Sequence, residues 1–276
     1  MAAALQATHL ELFPDGDRLF VSRVFSWAAD CFAGRHPGFQ AIDIGYHEFE
    51  HTLQGTLCLA RILRERARAG IRPVVGRRPF ELGIIAALLH DTGYLKRVGD
   101  DFGTGAKYTF THVARSGQFA ADFLAGKDFA AEEIAAVQRM IQCTSLRTRL
   151  AEIPFASEPE RLVGCALGTA DLVGQMAADD YVDKLPILQA EFIEAAQASP
   201  ELAPPEARYE GEQELLRQTP RFWRDVARPR IETELGGLYR FLADPYPDGR
   251  NEYLARIEAN VARAERLIST PPESAR

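Results

Sequence analysis

The chain has 276 residues, of which 46% are hydrophobic and 26% charged, with a formal net charge of −7 and a sequence pI near 5.5. A chain of this length can bury a substantial core. Its acidic balance argues against a protein that grips long nucleic acid, which requires a basic face. A small anionic substrate held through a metal ion remains compatible with this charge.

Composition also predicts the compartment. No apolar run approaches the roughly 18 residues of a membrane span, and the first residues lack a basic segment followed by an apolar one. The cysteines stand singly, without the CxxC spacing of metal or redox sites, which predicts buried free thiols. We therefore expect a cytoplasmic protein without a membrane partner. The four cysteines are Cys31, Cys58, Cys143 and Cys165.

Apolar residues recur at helical rather than alternating spacing along almost the whole chain, which predicts an all-α protein. The first helix is expected over residues 17–33 and the second over 46–70. The third has Pro79 in its first turn and reads FELGIIAALLHD, which is apolar on every side and typical of a central buried helix. A glycine-rich, irregular loop follows over residues 92–108.

The second half of the chain is also predicted to be helical, with a proline-rich break at residues 200–206 that marks a boundary. The pattern predicts a helical lead over 1–40 packed on the core, a main domain over 41–198, and a C-terminal helical extension over 199–276 with a polar tail. The helices expected in this half cover 109–125, 130–146, 158–178, 183–198, 207–217, 221–242 and 250–269.

His90 and Asp91 stand together at the end of the apolar helix. A buried imidazole and carboxylate are costly there unless they are paired or bind a metal. Both groups are ordinary ligands for Mn, Fe, Zn or Mg-type ions. The alternative is a His–Asp pair that caps the helix and contacts solvent.

Three further side chains fit the same site. His47 and His51 are four residues apart, so a helix that begins at Tyr46 places both rings on one face. Asp171 is an isolated carboxylate in an otherwise apolar helix, which needs a cation or a hydrogen-bond partner such as backbone or arginine. Together with His90 and Asp91, these residues predict a divalent-metal site.

His112 opens the helix that follows the glycine-rich loop. A two-metal site needs an additional ligand, and His112 is the only histidine left in the core region. A position beside the metal or facing the substrate is left open for it. Lys107 and Arg115 are the predicted contacts of an anionic substrate. His9 and His36 are interpreted as structural.

The order His51, His90-Asp91, Asp171 on helices resembles the HD superfamily of metal-dependent phosphohydrolases, over roughly residues 40–195. The resemblance implies an HD-domain-like helical bundle. It also implies that His51, His90, Asp91 and Asp171 are metal ligands, with Asp91 as the bridge when two metals bind.

Two local segments extend the resemblance. Tyr46-His47…His51-Thr52 is similar to the signature of the cyclic-nucleotide phosphodiesterases of that superfamily, which implies that His47 protonates the leaving oxygen. THVARSGQFAADFL resembles a segment of cyclic-di-nucleotide phosphodiesterases in which a histidine binds a second metal, which implies that role for His112. Tyr94 departs from those enzymes, which carry a lysine there, and their GYP motif is absent.

The expected function is therefore that of a metal-dependent phosphohydrolase, phosphodiesterase-like, acting on a nucleotide or another small phosphoester by attack of metal-activated water. His47 and Asp91 are its expected catalytic residues, and one or two divalent ions its cofactor. The alternatives are a di-iron oxygenase of the same superfamily and a catalytically silent nucleotide-binding regulatory module. For the C-terminal extension, a lid and a homodimer contact are both left open.

Overall fold

A computed structural model of the chain describes residues 1–203, 211 and 213–269. Helices dominate these residues, and the only strands among them are an antiparallel pair of two residues each, β1 (Ala243–Asp244) and β2 (Arg250–Asn251). The prediction of an all-α protein is confirmed. The α-helices within the described ranges are α1 (Ala2–Leu12), α2 (Phe20–Phe32), α3 (Phe49–Arg68), α4 (Arg77–Leu89), α5 (His112–Ala125), α6 (Ala131–Gln142), α7 (Glu158–Met176), α8 (Tyr181–Ala198), α9 (Glu214–Phe222) and α10 (Glu252–Ser269).

Helix α4 forms the centre of the bundle. Every residue from Phe80 to Leu89 is buried, and the helix packs against α2, α3, α5, α6 and α7. Glu81 is the only polar residue in this stretch, so the helix has no polar face that could point to solvent. The predicted central position of this helix is therefore correct, and its C-terminal end carries His90 into the interior.

Helices α3 and α7 cross closely, because glycines face each other where they meet. A Cβ added to Gly174 would lie 3.5 Å from the Cα of Gly55. Small residues at a crossing let two backbones approach to within ordinary van der Waals contact. This approach brings His51 on α3 next to Asp171 on α7.

Helix α1 was not among the predicted helices, because its apolar residues do not gather on one face. It packs on the bundle through His9, which is fully buried with its Nε2 atom 3.2 Å from Oε1 of Glu81. The His9 ring also contacts Phe20 and Phe80. This histidine holds the N-terminal helix on α4, in agreement with its structural interpretation.

The prediction of one regular helix over 221–242 is wrong. After α9 the chain forms two π-helical turns, Trp223–Ala227 and Arg230–Glu234, and then a 3₁₀ segment, Leu238–Leu242. Prolines at 220 and 229 remove backbone donors from the helix. Gly236 and Gly237 have positive φ angles of 76° and 68° and end it.

The C-terminal helices pack on the same core as the rest. Ile257 and Ala264 on α10 are fully buried, and Asn260 donates to the carbonyls of Met176 and Ala178, each at 2.9 Å. The division into lead, domain and extension remains a prediction. The predicted boundary at 200–206 and the predicted helix at 207–217 lie partly outside the described residues, and the polar tail 270–276 lies wholly outside them.

Candidate metal centre

Helices α3, α4, α5 and α7 bring the predicted ligands into one cluster. Donor atoms of His51, His90 and Asp91 lie within 4.8 Å of one another. Oδ1 of Asp171 is 3.3 Å from Nε2 of His51 and 3.4 Å from Nε2 of His90. His112 lies at the edge, with Nε2 4.0 Å from Oδ1 of Asp91. Their individual roles as ligands remain predictions, but their proximity is a feature of the fold.

Two buried atoms of the cluster form no hydrogen bond within the part of the chain that the structure describes. Nε2 of His90 and Oδ2 of Asp91 lie 3.2 Å apart, yet neither has a hydrogen-bond partner of acceptable geometry among the described residues. Buried polar atoms are almost always hydrogen-bonded. Atoms that converge without bonding to each other are typical of groups that share a cation, and an imidazole with a carboxylate is a suitable donor set for a divalent ion.

The backbone fixes which nitrogen two of the histidines present. Nδ1 of His90 donates to the carbonyl of Ala87 at 2.7 Å, and Nδ1 of His112 donates to the carbonyl of Thr109 at 2.7 Å. With Nδ1 protonated, the lone pair of a neutral ring lies on Nε2, the atom that faces Asp91 in both cases. Histidines that bind metals are commonly oriented by such a bond from the other nitrogen.

The charges of the cluster favour a cation. Burial lowers the pKa of His90, but the negative charges of Asp91 and Asp171 outweigh it and raise the pKa to about 10. Burial raises the pKa of Asp171, yet its contacts with the His51 and His90 rings bring it well below the usual range. For His112, burial dominates and lowers the pKa. Two carboxylates thus lie among buried imidazoles.

His47 lies beside the cluster, held by a residue that the sequence did not suggest. Helix α3 begins at Phe49, so the prediction that His47 and His51 share a helix face is wrong. The segment before α3 is instead bound to α8, where Glu191 accepts from the backbone of Tyr46 and pairs with Nδ1 of His47, both at 2.8 Å. Burial lowers the pKa of His47, but Glu191 and Asp91 raise it above its ordinary value.

Tyr94 is the second residue that sequence reasoning did not place here. Its ring stacks between His47 and His112, with centroids 4.6 Å from each and interplanar angles of 21° and 14°. Its side chain is almost fully buried, and its hydroxyl has no hydrogen-bond partner of acceptable geometry within the described ranges. Glu191 carries no sequence signal for this position, whereas Tyr94 follows Asp91 by three residues in the sequence.

The two basic residues predicted to bind the substrate, Lys107 and Arg115, already form contacts within the protein. Lys107 pairs with Asp100 and donates to the carbonyl of Phe102. Arg115 donates to the carbonyls of Gly93 and Leu95 at 2.7 and 2.9 Å, and its guanidinium lies 3.4 Å from the centroid of the Tyr108 ring. Arg115 thus stabilises the turn that follows Asp91 through these two hydrogen bonds. Binding of substrate by either residue remains a prediction.

A family model described as Npun_R2479-like matches residues 22–266. The chain belongs to the Npun_R2479-like family. This corrects the assignment to the HD superfamily, which rested on residues 40–195 alone. The Npun_R2479-like match begins within α2 and extends through most of α10, so it includes the C-terminal helices.

The fold of this Npun_R2479-like protein is similar to a solved phosphodiesterase domain. The crystal structure of the phosphodiesterase domain of Salpingoeca rosetta rhodopsin phosphodiesterase aligns with a TM-score of 0.58 and 14% identity, covering 95% of this chain and 87% of that chain. At this identity the likeness concerns the fold. No curated protein matches the sequence. Among the described residues, no helix is both long and apolar enough to cross a membrane.

Proposed function

We propose that this protein is a divalent-metal-dependent phosphohydrolase, phosphodiesterase-like, acting on a nucleotide or another small phosphoester. The observation that carries the proposal is the convergence of His51, His90 and Asp91, where Nε2 of His90 and Oδ2 of Asp91 are buried without a hydrogen bond to any described residue. The similarity of the fold to a phosphodiesterase domain supports the same reaction class.

The residues of the cluster have separate proposed roles as metal ligands. His51, His90, Asp91 and Asp171 would hold the first ion, and His112 would complete a second position next to Asp91. A divalent ion supplies Lewis acidity, which draws charge from phosphoryl oxygens and makes water a nucleophile at neutral pH. The hydrogen bonds that Nδ1 of His90 and of His112 donate to the carbonyls of Ala87 and Thr109 leave Nε2 of each ring to face the ion.

His47 is the proposed general acid. Its Nδ1 is committed to Glu191, and its Nε2 has no hydrogen bond within the described part of the chain. A protonated imidazole held in this way can donate from Nε2 to the departing oxygen of the ester. Glu191 stabilises the protonated ring and fixes its orientation, and the stacked ring of Tyr94 restrains its plane.

The experiment is a screen of phosphate monoesters and diesters with Mn, Fe, Mg and Zn, on the wild type and on Asp91→Ala. We expect metal-dependent hydrolysis that Asp91→Ala abolishes. In His47→Ala, we expect bound metal to be retained and the rate to fall most for esters with poor leaving groups. Hydrolysis that survives Asp91→Ala, or iron-dependent oxygen consumption without hydrolysis, would contradict the proposal.

A further inference from the structure

A small cavity with several polar side chains in its walls adjoins the candidate metal centre on the side of His51. Its volume is about 20 Å³, and its walls come from α3, α7 and α8 and from the segment before α3. A cavity needs roughly 10–15 Å³ to hold a water molecule. This cavity therefore has room for one water-sized polar group, directly beside a candidate metal ligand.

Two amide side chains that line this cavity have no hydrogen-bond partner among the described residues. Gln54 follows His51 by three residues on α3, and Gln175 follows Asp171 by four on α7, so each amide lies one helical turn beyond a candidate ligand. Neither amide has a hydrogen bond to any residue in the described part of the chain. Each offers one carbonyl acceptor and one NH₂ donor.

The charges at the rim indicate which ligand the cavity suits. Nζ of Lys184 lies 2.6 Å from Oε1 of Glu48 and 3.1 Å from Oδ2 of Asp180, so its positive charge is already compensated by two carboxylates. A second anionic group, such as another phosphate, would meet a net negative rim. A neutral group that both donates and accepts a hydrogen bond matches the two amides and the volume.

We propose that Gln54 and Gln175 form a subsite for a hydroxyl group of the substrate, on the part of the phosphoester that does not leave. An alcohol hydroxyl has the size of a water molecule and is both donor and acceptor. The enzyme then prefers phosphoesters of polyols or sugars to those of plain alkyl alcohols. This inference rests on the proposed function and deepens it, because it names the substrate class.

The test uses two diesters with the same leaving group, glyceryl p-nitrophenyl phosphate and propyl p-nitrophenyl phosphate. We expect the wild type to favour the glyceryl ester in kcat/KM by about three- to tenfold, the contribution of one net hydrogen bond. Gln54→Met and Gln175→Met preserve the side-chain shape without the amide, and should lower the glyceryl value to the propyl value. Gln197→Met, an exposed position on α8, should keep the preference.

A binding measurement separates failure of this inference from failure of the proposed function. Calorimetry with Mn²⁺ compares glycerol phosphate with propyl phosphate and requires no turnover. Tighter glycerol phosphate binding that Gln54→Met removes supports the subsite even if neither diester is hydrolysed, an outcome that overturns only the phosphohydrolase proposal. Hydrolysis of both diesters at equal kcat/KM, or equal binding of both monoesters by the wild type, would overturn the subsite.

Discussion

Nδ1 of His47 lies 2.8 Å from Oε2 of Glu191, although 144 residues separate them in the chain. The other oxygen of the same carboxylate accepts the backbone N–H of Tyr46 at 2.8 Å. One buried carboxylate thus fixes both the ring of His47 and the segment that carries it. Because His47 precedes α3 rather than belonging to it, this contact helps to hold the ring beside the candidate metal centre.

Replacement of Glu191 by Gln is expected to lower the rate without releasing metal. The amide keeps the size of the side chain but no longer stabilises a protonated His47. Loss of such an orienting partner typically costs about 10- to 100-fold in activity. The measurement is kcat on a diester together with metal content, and Glu201→Gln, an exposed position, is the matched control. Loss of metal from Glu191→Gln would assign this residue to the metal centre instead.

The turn after Asp91 depends on a glycine. A Cβ at Gly93 would lie 2.0 Å from the carbonyl oxygen of His112, whereas a Cβ at Gly117, on the same helix as His112, would meet nothing within 4 Å. We expect Gly93→Ala to destabilise the protein by more than about 2 kcal/mol and to weaken metal binding. Gly117→Ala should be neutral or stabilise α5 by up to about 1 kcal/mol.

Urea unfolding of the two glycine variants provides the comparison. Because both changes add one methyl group to a buried glycine, the difference between them isolates the close approach of the turn to α5. Equal free energies of unfolding for Gly93→Ala and Gly117→Ala would show that this approach does not constrain the fold.

Asn260 attaches α10 to the end of α7, where two backbone carbonyls accept from its side chain. Asn260→Ala should lower the free energy of unfolding by about 1–3 kcal/mol, because both carbonyls lose their donor in a buried position. Thermal or urea unfolding measures this, with the exposed neighbour Glu258→Ala as the control. An unchanged stability would mean that the apolar contacts of α10 hold it without Asn260.

The four cysteines are expected to resist thiol reagents in the folded protein. All four are buried, and burial is the largest cause that raises the pKa of each thiol, to about 12 for Cys31 and Cys58. A raised pKa leaves almost no thiolate at pH 8, and the thiolate is the reactive form. Titration with an aromatic disulfide reagent should find no fast-reacting thiol before unfolding and four after it. A fast-reacting thiol in the native protein would contradict this account.

Much of the fold followed from local patterns. The uninterrupted apolar run of α4 predicted a buried central helix. The isolated carboxylate of Asp171 predicted a residue that needs a cation or a hydrogen-bond partner. Each signal lies within one helix, where periodicity and burial are readable from the sequence. By contrast, α1 has no apolar face, and the π-helical turns near Trp223 arise where prolines interrupt a helical pattern.

The parts of the site that could not be predicted depend on tertiary contacts. Glu191 lies in a helix where a glutamate is ordinarily on the surface, and only the packing of α8 against the segment before α3 places it next to His47. The same contact explains why His47 lies outside the helix that spacing predicted. The Npun_R2479-like assignment also could not be made from the His51, His90-Asp91 and Asp171 pattern, because that pattern covers only part of the family's extent.

The most direct measurement is equilibrium binding of Mn²⁺ and Zn²⁺ to the wild type, to Asp91→Asn and to Asp101→Asn, an exposed aspartate on the nearby loop. We predict that the wild type and Asp101→Asn bind the ion alike. Asp91→Asn should lose more than about tenfold in affinity, since even partners that only orient ligands cost 10- to 100-fold. Binding to Asp91→Asn that equals the wild type, or no binding to the wild type, would contradict the metal centre.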